Sequence, residues 1–228
     1  MAKNCRGLFI TGTDTGCGKT HVTVGIMEAL KRCGVRVAGM KPVASGCEII
    51  EGRPVNEDAV KIQTACSNRP DYDLVNPWAL RDPISPNIAA SREGVRIEPE
   101  PVVNAYRELA RSSQAIIVEG IGGWRVPLSG SLQQRDLARL LNTPVILVVG
   151  LRLGCISHAC LTAEVIAGDN IPLRGWIASH VDPEYDTATE TLEYLDNALK
   201  VPMLGEFPYQ QEGKGDRMDH GLDLNDLL

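Results

Sequence analysis

What this chain lacks narrows the field first. No run of like charge is long enough for a basic arm or an acidic tail. A formal net charge of −6, with four histidines, offers no broad electropositive footprint, so a nucleic acid is not an expected partner. The longest uncharged apolar run, Pro144 to Leu151, is far too short to span a bilayer, and no membrane partner is expected. The seven cysteines stand at 5, 17, 33, 47, 66, 155 and 160 with no Cys-x-x-Cys, and read as reduced, mostly buried small residues. Met1 to Arg6 lead almost directly into an apolar run, leaving no room for a signal peptide; the expected compartment is the cytoplasm. Internal repeats and low-complexity tracts are missing as well. The 228 residues, 43% hydrophobic and 23% charged, suit one α/β domain, residues 1–228, with a substantial core.

Among what is present, one stretch organises the rest: Gly12-Thr13-Asp14-Thr15-Gly16-Cys17-Gly18-Lys19-Thr20. The apolar Leu8-Phe9-Ile10 precedes it and an amphipathic run from His21 to Lys31 follows. Strand, glycine turn and helix are what a phosphate-binding loop requires. Backbone N–H groups of such a turn and of the helix's first turn converge on one point and attract anions. Lys19 would reach the β- and γ-phosphates, and the Thr20 hydroxyl would help hold Mg²⁺. Five residues separate Gly12 from Gly18-Lys19-Thr20, one more than the general pattern has. The stretch reads as a nucleotide phosphate site.

Further along, Gly34 suits a helix C-cap, and Val35 to Met40 reads as a second strand. It ends in Lys41-Pro42-Val43-Ala44-Ser45-Gly46, a polar loop at a strand's carboxyl end, where α/β sheets bind ligands. Lys41 is there either a solvated surface charge or a functional group converging on the phosphates. Asn56 to Cys66 reads as a helix, with Asp58 in its first turn as a dipole complement. Residues 67–101 carry six prolines and read as an irregular but ordered excursion, anchored by Trp78, Leu80, Ile84 and Ile88; Val102 to Arg111 is helical. Ala115 to Gly120 is an apolar strand ending in Glu119, which is either an ordinary strand-end charge or a Mg²⁺ partner of the phosphate loop. Gly120, Gly122 and Gly123 would let backbone approach a ligand. Asp136 to Leu141 is a short helix and Pro144 to Gly150 another buried strand. Arg152 to His158 opens a helix running to Ala167, with an anion-friendly start at Gly154; His158 reads as a packing or capping residue. Arg174 to His180, a helix from Thr187 to Leu199, and Met203 to Pro208 complete the alternation before a loop-rich tail with Gly213, Gly215 and Gly221. Such alternation predicts a three-layer α/β fold of the P-loop NTPase kind, with a mostly parallel central sheet.

Taken together these blocks resemble one family, dethiobiotin synthetase. The resemblance rests on Thr11 to Thr15 and Gly18-Lys19-Thr20, on Lys41 to Gly46, on Val75-Asn76-Pro77, and on Val118-Glu119-Gly120-Ile121-Gly122-Gly123-Trp124. It continues through Pro144 to Gly150, Leu153-Gly154-Cys155-Ile156-Ser157-His158, Gly175-Trp176 and Leu204-Gly205-Glu206-Phe207-Pro208. What it implies is ATP- and Mg²⁺-dependent carboxylation of 7,8-diaminononanoate with CO₂. A carbamate would attack the γ-phosphate, and the second amine would close the ureido ring and expel phosphate. Such chemistry leans on electrostatic stabilisation, because negative charge sits on both the carbamate and the phosphoryl group.

Carried over residue by residue, the resemblance makes Lys19 and Lys41 the catalytic cations and Thr20, Asp58 and Glu119 the Mg²⁺ ligands. The nucleotide would lie against Thr15, Gly16, Cys17, Gly18, Lys19, Thr20 and His21, against Asp58, Glu119, Gly120 and Gly122, and against Ser179, His180, Pro208, Tyr209 and Gln210. Thr15 and Ser45 would contact the diamine. The family's homodimer would present Leu153, Gly154, Cys155, Ile156 and Ser157 to the substrate carboxylate across the interface. Three departures stand out: Gly16 replaces a Glu found in some members, Asn87 replaces a frequent His, and Ser179-His180 replaces Asn-Asp. Ser cannot make the paired donor–acceptor contact of an Asn amide with adenine, so other nucleoside triphosphates such as CTP or GTP are expected to compete. Rival readings are a partner-regulated ATPase switch and a small-molecule kinase. Against the first, Asp14 stands where the deviant phosphate loop of those switches carries a lysine; the second does not account for Lys41 to Gly46.

Overall fold

A computed structural model describes residues 5–209 and Leu222. Gln210 and the glycines at 213, 215 and 221 lie outside the described residues. In chain order the elements are β1 (Arg6–Gly12), α1 (Lys19–Arg32), β2 (Val37–Met40), β3 (Val43–Ala44), β4 (Glu48–Ile50), β5 (Arg53–Val55), α2 (Glu57–Ala65), α3 (Tyr72–Val75), β6 (Trp78–Ala79), α4 (Pro86–Arg92) and α5 (Pro99–Ser112). They continue with β7 (Ala115–Gly123), β8 (Pro127–Ser129), β9 (Leu132–Gln133), α6 (Gln134–Leu141), β10 (Val145–Leu151), α7 (Cys155–Gly168), β11 (Leu173–His180), α8 (Ala188–Ala198) and β12 (Met203–Phe207).

The central sheet has six strands in the order β12-β11-β10-β1-β7-β2, and every pairing in it is parallel. A parallel sheet is stable when helices cover both faces, which is why its strands are continuous apolar runs. Side chains along β1 alternate accordingly. Leu8 and Ile10 pack with α1 and α2, whereas Phe9 packs on the opposite face with α5 and α6. A third cluster joins β10 and β11 to α7 and α8 around Trp176. The cysteines at all seven positions are free thiols, and no helix among the described residues is long and apolar enough to cross a membrane.

The irregular reading of residues 67–101 is corrected. That stretch holds α3, β6, α4 and the start of α5. Two of its prolines, Pro86 and Pro99, open helices at the first turn, where a missing N–H breaks no hydrogen bond. Its anchoring is also partly different: Leu80 is buried, but Ile88 is 46% exposed. The segment is tied instead through backbone. Val43 and Ala44 pair in parallel with Trp78 and Ala79, and Lys41 N donates to the Val75 carbonyl at 2.8 Å. This brace positions the Lys41 loop beside the mouth of the sheet.

Candidate active site

The phosphate loop folds as its glycines allow. Gly16 and Gly18 take φ of 72° and 88°, a left-handed region favouring glycine, and Gly18 caps α1 from there. A side chain at Gly12 would lie 2.3 Å from Cys17 Sγ, and one at Gly18 would lie 2.1 Å from Ser179 Oγ. Cys17 itself is fully buried, so only its backbone faces the loop. Lys19 Nζ curls back to donate to the Asp14 carbonyl at 2.8 Å and lies 3.8 Å from Cys17 Sγ. Asp14 in turn accepts from Thr15 N at 2.7 Å and from Arg152 Nη2 at 2.9 Å.

Three chain segments converge next to Lys19. Lys41, only 4% exposed, places Nζ 2.5 Å from Glu119 Oε1 and 3.3 Å from Asp58 Oδ2. Thr20 Oγ1 donates to the same Glu119 oxygen at 2.8 Å. Burial by itself would lower the Lys41 pKa, yet the two carboxylates outweigh it and hold the ammonium charged above its ordinary range. Lys41 is therefore no solvated surface charge. Glu119, with 0% exposure, keeps its second oxygen, Oε2, buried without a hydrogen-bond partner. A buried carboxylate oxygen left this way is costly unless a cation satisfies it.

Thr20, Asp58 and Glu119 offer hard oxygen donors within one cavity, and Asp58 keeps it open to solvent. Among the described residues no group of three or more His, Cys, Asp or Glu side chains forms a closed metal cage. Two carboxylates plus a hydroxyl match Mg²⁺, which keeps water and phosphate oxygens in its remaining positions.

The cavity, about 690 Å³, also takes in Thr15, Gly16, His21, Ser45 and Gly122. No atom lies within 4 Å of a Cβ at Gly16, so that side of the cavity stays open. Gly120 does something else: a Cβ there would meet Gln134 Oε1 at 2.5 Å, so Gln134 rather than a ligand uses its missing side chain. Gln134 then donates to the Gly123 carbonyl at 2.9 Å and accepts from Ile121 N. Pro83, Ile84, Ser85 and Pro86, the turn into α4, also line the cavity, where the sequence reading saw only an apolar anchor at Ile84. Asn56 caps α2 by accepting from Ala59 N at 3.2 Å, which orients Asp58 in the first turn. Asn76, buried, donates to the Lys41 carbonyl at 2.7 Å. Its position inside Val75-Asn76-Pro77 was visible in the sequence; its supporting role was not.

Two predicted groups lie apart from this cavity. Leu153 to Ser157 do not line it: Leu153 is 93% exposed, Gly154 caps α7 with φ of 92°, and Cys155 is buried. On the other flank Ser179 is 1% exposed, packed beneath Gly18, while His180 Nε2 lies 2.6 Å from Glu206 Oε1. Pro208 and Tyr209 are exposed beside them.

The chain has relatives in sequence and in fold. A family described as an AAA domain matches residues 6–216. The ATP-dependent dethiobiotin synthetase BioD of Aromatoleum aromaticum is 48% identical over 204 residues, 90% of this chain and 91% of that one. Its namesake in Xanthomonas euvesicatoria pv. vesicatoria is 44% identical over 216 residues, 95% of this chain and 96% of that one. In fold, the chain is similar to one from the MinC:MinD cell division protein complex of Aquifex aeolicus, with a TM-score of 0.55, 16% identity and coverage of 91% and 83%. A ParA family ATPase from Chlorobium tepidum also gives 0.55, at 17% identity with coverage of 91% and 85%. At such identities those two likenesses speak to the sheet and its helices alone. The similarity to the synthetases covers nearly the whole length of both chains, and by it this chain belongs to the ATP-dependent dethiobiotin synthetase family.

Proposed function

We propose that the chain, acting as one domain, closes the ureido ring of dethiobiotin from 7,8-diaminononanoate, CO₂ and ATP as a ligase of biotin biosynthesis. One observation carries most of the weight: a buried lysine and a threonine hydroxyl share one oxygen of a fully buried glutamate, beside the phosphate loop. Thr20, Asp58 and Glu119 would hold Mg²⁺, which when bound neutralises charge on the β- and γ-phosphates. Lys19 leaves the Asp14 carbonyl to reach those phosphates. Lys41 sits where the carbamate and the γ-phosphate meet and stabilises the charge that passes between them.

The reaction balances without redox chemistry. One amine adds to CO₂ and loses a proton, giving the carbamate. A carbamate oxygen attacks the γ-phosphorus and ADP departs, leaving a carbamic–phosphoric anhydride. The second amine then attacks the carbonyl carbon and loses a proton, and phosphate leaves with that oxygen. Thr15 and Ser45, both facing the cavity, contact the diamine. The reading places the protein in the cytoplasm and includes a homodimer, because Leu153 to Ser157 are not among the residues lining the phosphate cavity. Leu153, at the start of that segment, and Leu161, within α7, are exposed leucines, and the Gly154 helix start suits a carboxylate reaching in from a neighbouring protomer.

Phosphate release measured with purified protein tests the reading. It is expected to require both bicarbonate and diaminononanoate; release that proceeds at the same rate without the diamine would overturn it.

A further inference from the structure

The cations at positions 19 and 41 and the carboxylates at 58 and 119 mark where the terminal phosphate belongs, on the β7 and β2 side of the phosphate loop. A nucleotide anchored that way sends its base in the opposite direction, toward the ends of β11 and β12. Ser179 is no reader at that end. Its Oγ is pressed under Gly18, and Val181 lies under the same glycine, 3.7 Å from where a Cβ would stand. Strand alternation turns the residue between them, His180, to the other face. There it meets Glu206 of β12, a strand whose Phe207 packs edge-on against His21 at 5.1 Å. The first turn of α1 and the end of β12 are therefore in contact, through the residue that follows Glu206.

That groove, about 1320 Å³, is lined by His180, Asp182, Tyr185, Glu206, Pro208 and Tyr209 among others. No lysine or arginine is among its described lining residues. Resting on the nucleotide reading above, we infer that Glu206, oriented by His180, reads the nucleobase and selects bases that carry an exocyclic amine. A carboxylate only accepts hydrogen bonds, so the imidazole donates to one oxygen and the other is left for a donor on the base. Adenine, cytosine and guanine each offer an amino group; uracil presents a carbonyl in place of cytosine's amine. Oxygen facing oxygen leaves both unpaired. Tyr209 supplies an exposed ring against which any base can stack, so stacking does not discriminate. His180 acts here as a positioning residue, holding the carboxylate from a neighbouring strand.

CTP and UTP make the decisive comparison, because they match in size and stacking. Nucleotide affinities measured by calorimetry with Mg²⁺ and no diamine need no turnover. Glu206 is partly solvated, so the preference is modest: CTP, ATP and GTP are expected to bind about tenfold or more tightly than UTP. Glu206→Gln, whose amide can also donate, is expected to bring CTP and UTP within about threefold of one another. His180→Ala should narrow the ratio part of the way. Equal affinity of the unaltered protein for CTP and UTP would overturn the inference without any variant. An unchanged ratio in a Glu206→Gln protein of normal melting temperature would overturn it too. If no triphosphate binds at all, the nucleotide reading fails and this one falls with it.

Discussion

At the scale of single residues, Lys41 shows what burial adds to a sequence reading. Before Pro42 it could be a solvated cation or a working one; a side chain at 4% exposure between two carboxylates is no longer a surface charge. Its removal should act on the transition state more than on nucleotide binding, because in the proposed reading the triphosphate would be held chiefly by the loop amides and Lys19. Lys41→Ala is expected to lower kcat by about two orders of magnitude or more while leaving ATP affinity within a few-fold. Near-normal turnover would remove Lys41 from the mechanism. The same change strands Glu119 as a buried charge, at a cost of about 3–5 kcal/mol without a divalent cation, so the melting temperature belongs beside the kinetics. Asn76 illustrates the reverse case. Its block signalled a family, but only the bond to the Lys41 carbonyl gives it a physical task.

Among the elements, the ones that read clearly are those whose burial imposes a pattern. β1, β7, β10 and β11 are two-sided strands and therefore continuous apolar runs. The hairpins β4–β5 and β8–β9 are two or three residues per strand, too short for any period to show. Pro86 and Pro99 misled because proline reads as a breaker, whereas at a helix's first turn it is a starter. The clamp at the end of α7 was also illegible, since its parts come from three elements. Asp169 accepts from Trp124 Nε1 at 2.8 Å and from Arg135 of α6, and Arg139 reaches its carbonyl at 3.4 Å. Burial alone would raise the Asp169 pKa, but Trp124, Arg135 and the nearby Arg125 hold it below the usual carboxylate range. A depressed pKa contributes stability above the unfolded carboxylate value of about 3.9, and that stability is lost as pH falls through the folded value. Asp169→Asn is expected to cost about 1–3 kcal/mol at neutral pH, the gap to the unaltered protein closing at acid pH, in urea unfolding followed by circular dichroism. A gap that widened on acidification would contradict the clamp.

Across the whole molecule, strand order explains why one loop can serve both ends of a nucleotide. β1 lies between β7, which delivers Glu119, and β10, whose outer neighbours β11 and β12 end at the groove. Polar residues at strand ends are legible in the sequence, which does not show which side each occupies. Thus Ser179 went under the loop while Glu206 came to face the groove. Nor could it show that Leu153 to Ser157 stand outside their own chain's cavity. Fold likeness to a ParA family ATPase does not carry a switch function, and the position where such switches carry a lysine is here Asp14, paired with Arg152 at 2.9 Å.

The central claim, that this site phosphorylates a carbamate, has a direct isotopic test. With ¹⁸O-labelled bicarbonate, ATP, Mg²⁺ and diaminononanoate, the oxygen that attacks phosphorus should leave in inorganic phosphate, which mass spectrometry would find carrying one label per turnover. Phosphate released unlabelled, while dethiobiotin forms, would contradict the account.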